Sequence, residues 1–457
     1  MVILRRSIAV VLLLLAALQL GFRGMQRMRS DIPMWDFASV YASARTWVHG
    51  GDPYDMARVA DTWRHAGAFA NRSVSTWALV YPPSSLFTIA PLAILPAKIA
   101  LVSWLLITLA LLAWQFAALV ELARLRWGDS RTWLLIAASL AAAPVQFGIL
   151  SGQLSLPAIS LCIIAFCYVS RGREQLAGAL LGLACAIKPQ VGAAFIAYYL
   201  ILRQWNVAKV AMLVTAAIGA LSFSVMQITH PNWLGQWTAG IAASSRVGGV
   251  NDYSWAGPFR DEIMDLKLLA VSIPHDPMIL RLVIEGIVIG LLVWFVRSYP
   301  RSEIRRDPTR TELLALAGLS AISLLPIYHR VYDAALLTTA LAWALAELDG
   351  PRRRYALVML VPMLLFLVPF DFVRSIGYRL PGITALSETW WWQSLVAPHY
   401  AWGLLGVTIA LLATMSRMAV VRPAVEPAVQ PVVQPVAAGG AVLAADPDDD
   451  EEMMLAH

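Results

Sequence analysis

The sequence predicts an all-α protein that crosses a membrane about twelve times. Three observations carry that prediction. Hydrophobic residues make up 59% of the 457 residues and charged ones only 14%, where an ordinary soluble domain carries about 25% charged residues. The apolar residues gather in runs of bilayer length. The basic residues, nearly all Arg, sit in short clusters at alternate connections between those runs, which is the pattern of the positive-inside rule. Folded in water, such a chain would leave apolar surface that it could not cover. A soluble enzyme, a nucleic-acid-binding module and a disordered protein are thereby excluded, and the net charge of +6 reads as topology.

The first run, 7–22, follows Arg5 and Arg6 and has no small-x-small cleavage site behind it, so it reads as an uncleaved helix. Further runs lie near 98–122, 132–150, 154–170, 174–187, 190–204, 207–228, 279–298, 311–327, 332–348, 355–370 and 400–418. With a cytoplasmic N-terminus, the cytoplasmic connections hold Arg124/Arg126/Arg131, Arg171/Arg173, Arg203/Lys209, Arg297/Arg301/Arg305/Arg306/Arg310 and Arg352/Arg353/Arg354. The short opposite connections hold little that is basic beyond Lys188 and Arg330, two exceptions that need a reason. Residues 79–97 are apolar but carry Pro82, Pro83, Pro91 and Pro96, and counting them as a span breaks the charge alternation. They read as a re-entrant or interfacial segment. Three long segments, 23–97, 229–278 and 371–399, then lie outside the cytoplasm. Residues 419–457, rich in Pro, Val and Ala and ending in an acidic cluster, read as a disordered cytoplasmic tail. Cys162, Cys167 and Cys185 are odd in number, lie inside apolar runs and lack metal-ligand spacing, so neither a disulfide nor a zinc site is predicted. No GxGxxG or P-loop fingerprint is present.

In the first long segment, Phe37, Val40, Tyr41, Ala44, Trp47 and Val48 recur at helical spacing, with Gly50-Gly51 as the stop. The pattern predicts an amphipathic helix on the outer membrane surface, with Asp36 at its start. Asp36 is either its N-cap or a carboxylate whose apolar surroundings make it a better base. Four further places break the apolar pattern on the same side: Ser151-Gly152-Gln153; Lys188-Pro189-Gln190; Tyr328-His329-Arg330 with Asp333; and 246–262 with Arg246, Asn251, Asp252, Trp255, Arg260, Asp261 and Glu262. Each has a structural explanation taken singly: a helix cap for Gln153, snorkelling for Lys188, packing for His329, an Arg330–Asp333 pair. Ionisable residues at membrane depth are expensive and usually functional, and here a carboxylate and a cation cluster converge on one face. That combination suits chemistry on an anionic, lipid-linked substrate.

These residues resemble the GT-C membrane glycosyltransferases, most closely family 87, the polyprenol-phosphate-mannose-dependent mannosyltransferases. The matching residues are Asp36-Phe37 with Gly50-Gly51-Asp52-Pro53-Tyr54-Asp55, Tyr81-Pro82-Pro83 with Pro91 to Pro96, Gly152-Gln153, Ala177-Gly178 through Lys188-Pro189, and Tyr328-His329-Arg330 with Asp333. The resemblance runs from about residue 30 to 345 and stops there. The runs, charge alternation and Arg-rich composition read as a single transmembrane domain, 1–418, in a bacterial inner membrane with both termini cytoplasmic; the resemblance implies that it is catalytic, with an extracytoplasmic active site. It implies inverting transfer of a sugar, mannose by family, from a polyprenyl phosphate to a lipid or glycan hydroxyl. Asp36 matches the family's base, and His329 matches the position near the donor phosphate.

On this reading Asp36 takes the acceptor's proton as that oxygen attacks the anomeric carbon, and the prenyl phosphate leaves from the opposite face. Lys188, His329 and Arg330 bind the donor phosphate, while Gln153, Tyr328, Trp255 and Asp333 contact sugar or acceptor. The 79–97 segment is expected to help line a groove for the prenyl chain. No metal or other cofactor, no nucleic-acid partner and a monomer are expected. The rivals are a lipid transporter or flippase, which predicts charges near the midplane and helices broken in symmetric pairs, and a surface-polysaccharide polymerase, which lacks the Asp36 loop.

Overall fold

Each of the twelve apolar runs carries a helix, but only five of these helices are long and apolar enough to cross a membrane alone. The computed structural model describes residues 2–30, 33–66, 79–271, 277–299, 308–379 and 381–420. Among them the five are α1 (Val2–Ser30), α5 (Ala97–Leu122), α11 (Trp205–Thr229), α14 (Pro277–Ser298) and α20 (His399–Val420). The run at 132–150 is a bent pair, α6 (Ser130–Ala141) and α7 (Ala143–Ser151), crossing at 56°. Pro144 causes the break, because it has no N–H to donate to the preceding turn. The Gln146 amide supplies what is missing by donating to Leu140 O at 3.0 Å. A second pair, Arg353–Leu367 and Phe370–Gly377, bends by 60° ahead of and behind Pro369. Counting each pair as one span gives seven.

The remaining runs are shorter than the roughly 20 residues a span needs: α8 (Ser155–Ser170), α9 (Glu174–Ile187), α10 (Pro189–Ile201) and α15 (Pro308–Ile322). The run at 332–348 opens as a 3₁₀ turn, Val331–Leu337, before the ten-residue α16 (Thr338–Glu347). Among the described residues, helices of spanning length and composition thus number five, or seven with the bent pairs, where the sequence runs suggest about twelve. No β-strand occurs among the described residues, only a lone antiparallel bridge between Ile263 and Arg330. The expected tail lies outside the described residues from 421 onward, as do Arg301, Arg305 and Arg306.

Helix α8 lies at the centre, with every side chain from Ser155 to Cys167 buried against α5, α9, α10 and the 3₁₀ turn. A helix that is apolar all round is stable only when fully enclosed. Helices α9 and α11 approach closely through Gly178 and Gly182, four residues apart. A Cβ on either would meet an α11 carbonyl oxygen at 2.7 Å, the small-residue contact used between membrane helices. On the periphery, α1, α11 and α14 turn Leu18, Ile228 and Met278 outward, apolar surface of the kind a bilayer covers.

The two ends of the bundle differ in chemistry. At one end Arg5 forms a bidentate pair with Asp349 at 2.6 and 2.7 Å, Arg131 pairs with Asp129 at 2.6 Å, and Arg171 pairs with Glu121. Arg5 and Arg131, which the charge alternation assigns to one side, are neighbours in space, both reaching Asp349. The other end gathers the polar exceptions.

The segment after α1 departs from its expected form. Helix α2 (Trp35–Val48) is not a surface helix with one buried face. Phe37, Ala38, Val40, Tyr41, Ala42, Ser43, Ala44, Thr46 and Trp47 are all buried, because the small residues let a second set of neighbours approach opposite the aromatic face. Helix α4 (Pro83–Ala93) is the 79–97 segment, and its 11 residues rise about 16 Å, half a bilayer. Arg45 and Tyr41 tie α2 to it: Arg45 Nη1 donates to Ala93 O at 2.8 Å and Leu95 O at 3.0 Å, and Tyr41 donates to Leu95 O at 2.7 Å. A cation there also complements the helix C-terminus.

Candidate active site

Asp36 is the second residue of α2, and Met34 in the left-handed region is its N-cap. Met34 makes no side-chain capping bond. The Asp36 carboxylate, in the first turn, accepts at Oδ2 from Gln153 Nε2 at 2.5 Å. Gln153 follows the C-terminus of α7, which ends on Gly152 at φ +69°. A Cβ on Gly152 would lie 2.8 Å from both Met34 Cβ and Phe37 Cβ, so glycine at this position lets the start of α2 seat against the α7–α8 turn. Trp104 of α5 locks the junction: its Nε1 donates to Gly152 O at 2.9 Å, and its ring stacks on Phe37 at 4.8 Å and 8°. From the far side Tyr81 donates to Gln153 Oε1 at 3.0 Å. Asp36 keeps some exposed surface but is hemmed in by protein. Burial raises its pKa above the ordinary carboxylate value, with Arg330, the Gln153 amide, the Ser151 hydroxyl and Lys188 pulling the other way.

Lys188 breaks the chain between α9 and α10 in an extended conformation (φ −146°), with Pro189 opening α10. Its ammonium does not snorkel to the surface. It is buried, donating to Ser155 Oγ at 2.5 Å and Asp333 Oδ1 at 2.7 Å, 4.7 Å over the Tyr332 ring. Asp333, in the 3₁₀ turn, holds His329 with its other oxygen: Nδ1 to Oδ2 is 2.9 Å. An ionised carboxylate only accepts, so Nδ1 carries the hydrogen. His329 is 1% exposed, and its Nε2 has no hydrogen-bond partner among the described residues. A buried polar atom without a partner is rare, and here it sits in the polar end of the bundle.

Arg330 turns from this trio toward 246–262. It donates to Tyr328 Oη at 2.5 Å, Glu262 Oε2 at 3.1 Å and Val250 O at 2.5 Å, and lies 5.2 Å over Phe259. The Ile263–Arg330 bridge and the bond from Met264 N to His329 O (3.1 Å) hold the two segments together. Asp252 caps its own turn, accepting from Gly248 N and Ser254 N at 2.7 and 2.8 Å.

The structure therefore brings together Asp36, Gln153, Lys188, His329, Arg330, Tyr328 and Asp333. It leaves Trp255 exposed at 52%. Both Asp333 oxygens are occupied by protein cations or donors, and Tyr328 serves Arg330. Three partners were not picked out as site residues by sequence: Ser155, a small polar residue in an apolar run; Tyr332, whose ring faces Lys188; and Tyr81, marked only by its neighbouring prolines. Among the described residues no group of three or more His, Cys, Asp or Glu is arranged to hold a metal ion.

An apolar helical bundle with carboxylates, a histidine and two cations gathered at one end has the character of a membrane protein with a buried polar site. Comparison with known families makes this specific. The model of glycosyltransferase family 87 matches residues 79–326, more than half of the chain, and the chain belongs to that family of glycosyltransferases. No curated protein and no solved structure matched it.

Proposed function

We propose that the chain is an inverting glycosyltransferase that moves a sugar, mannose by family resemblance, from a polyprenyl phosphate to an acceptor hydroxyl on the extracytoplasmic face. One observation carries this reading. Asp36 is held by an amide and by no cation within ion-pair distance among the described residues, while the neighbouring Asp333 neutralises Lys188 and orients His329. A carboxylate without an ion pair in a buried place retains its basicity; a carboxylate between Lys and His does not.

Asp36 accepts the proton of the acceptor hydroxyl as its oxygen forms the bond to the anomeric carbon. The bond from that carbon to the donor phosphate oxygen breaks on the opposite face, and the electron pair leaves with the phosphate. His329 Nε2, buried and without a hydrogen-bond partner among the described residues, is the ring nitrogen assigned to this phosphate. Lys188 and Arg330 add positive potential from behind it. A single charge-assisted contact of this kind contributes about 1.5–3 kcal/mol, roughly tenfold to a hundredfold in rate.

The prenyl chain finds its place in a cleft of about 320 Å³ between α10, α14 and α15, lined by Gln190, Ala194, Ala197, Tyr198, Phe295 and Ile322 among others. Its lining is apolar, and it starts two residues from Lys188 and runs along α10 for about 16 Å. Residues 79–97, the segment expected to line such a groove, are not among its walls. The test is transfer by the purified full chain in nanodiscs, given polyprenyl-phosphate mannose and membrane lipids as acceptors. Accumulation of a mannosylated lipid supports the proposal. Donor crossing the bilayer without being consumed would overturn it.

A further inference from the structure

Gln153 and Tyr81 form a short relay that ends on Asp36, and its polarity is determined by chemistry. An amide offers a donor end and an acceptor end of nearly the same shape, so its neighbours decide which end faces which. An ionised Asp36 only accepts, and it requires the N–H end. If the amide turned over, its oxygen would face the carboxylate, two acceptors in contact inside protein. Tyr81 opposes that turn by donating its hydroxyl hydrogen to Gln153 Oε1 at 3.0 Å. Tyr81 is itself fixed from two sides: Tyr54 donates to its carbonyl at 3.0 Å, and Trp237 Nε1 donates to Val80 O at 3.1 Å. Pro82 and Pro83 stiffen the chain directly after it.

We infer that Tyr81 is a positioning residue for the base: its hydroxyl locks the Gln153 amide with the N–H on Asp36 Oδ2, which leaves Oδ1 to take the acceptor's proton. The inference rests on the reading of Asp36 as base. It also changes the role of Gln153, which acts on the base rather than on the sugar. The other groups acting on Asp36 are Ser151 from the end of α7, Arg330 and Tyr332 from the segment around the 3₁₀ turn, and Lys188 from the α9–α10 junction. The Tyr81 hydroxyl also lies in the field of Asp36, Arg330 and Tyr332, so the relay is separated from a direct effect by repeating Tyr81→Phe without Gln153.

The experiment follows the Asp36 carboxyl band by infrared titration of the full-length protein in nanodiscs, with Asp36→Asn identifying the band. The same variants are assayed for sugar transfer across pH. Gln153→Leu removes a charge-assisted donor and is expected to raise the Asp36 midpoint by about one to two pH units. Tyr81→Phe keeps the ring, so it tests the relay even if Gln153→Leu does not fold. It is expected to shift the midpoint and the acid limb of kcat the same way by a smaller amount, with donor KM unchanged. In the Gln153→Leu background Tyr81→Phe adds nothing, because it acts through the amide. A Tyr81→Phe midpoint equal to wild type overturns the inference. So does a shift that persists without Gln153, or an effect confined to KM, which would mean that Tyr81 touches substrate. If Asp36→Asn still transfers sugar, the base reading itself fails. If Asp36→Asn is inactive and Tyr81→Phe leaves the midpoint unmoved, only the positioning role fails.

Discussion

Removing one member of the Lys188–Asp333 pair should cost far more than removing both. The ammonium and carboxylate are 2.7 Å apart, with side chains 3% and 1% exposed. At that depth water cannot compensate a charge left alone, and breaking a buried pair from one side costs about 3–5 kcal/mol. Asp333→Ala leaves Lys188 with only Ser155 Oγ and the Tyr332 ring, and it also frees His329 Nδ1. Asp333→Asn fares little better, since its amide can bond both neighbours but leaves the buried Lys188 charge without a counter-ion. Lys188→Met with Asp333→Leu removes both charges together and fills the space, a change that is often near neutral for a buried pair. The assay is the double-mutant cycle in stability, read as denaturant-induced loss of helix in detergent micelles. A coupling of about 2 kcal/mol or more is expected from the single costs. Single variants within about 0.5 kcal/mol of wild type, as for an exposed pair, would refute the claim that this pair is desolvated. The double variant is expected to be folded but poor at transfer, which separates its structural from its electrostatic role.

Gly152→Ala places a Cβ 2.8 Å from Met34 and Phe37 on a residue at φ +69°. The left-handed conformation alone adds about 1–2 kcal/mol, and kcat should fall with Asp36 displaced; an unchanged kcat would mean that the α2–α7 contact does not position the base. The acid limb of kcat should lie above the ordinary carboxylate pKa of about 4. Burial raises Asp36, the base works only when ionised, and activity is therefore lost as pH falls through that raised value. A pH–rate profile whose acid limb coincides with a model carboxylate, or is absent, contradicts this. Ala194→Trp should plug the apolar cleft. It is expected to raise KM for long-chain polyprenyl donors and to leave KM for a short-chain donor near wild type, so equal effects on both would remove the cleft from donor binding.

Much of this was legible in the sequence because membrane proteins sort their charges. The alternation of Arg clusters placed Arg5, Arg131 and Arg171 at one end of the helices, where they pair with Asp349, Asp129 and Glu121. The exceptions to the alternation, Lys188 and Arg330, proved to be interior residues. Hydropathy windows did not convey length or straightness: Pro144 bends its run because it lacks one N–H, and the run at 332–348 begins as a 3₁₀ turn around the buried Asp333. Nor did the periodicity of α2 reveal a second buried face, since Ala38, Ala42 and Ala44 read as neutral until a neighbour packs on them. The partnerships were the least legible part. Gln153 meets Asp36 across 117 positions and Lys188 meets Asp333 across 145, and a single sequence contains no signal linking positions so far apart. Asp333 read as a substrate ligand for that reason, where the fold makes it the counter-ion that holds Lys188 and His329.

The central claim is that Asp36 is the base, and Asp36→Asn tests it most directly. The amide keeps the size of the side chain, and its oxygen can still accept from Gln153 Nε2, so the fold should survive. Transfer of mannose from a polyprenyl phosphate in nanodiscs should fall by about a hundredfold to ten-thousandfold, the range of a general base, with donor binding measured by displacement unchanged. Transfer within a few fold of wild type would contradict the account.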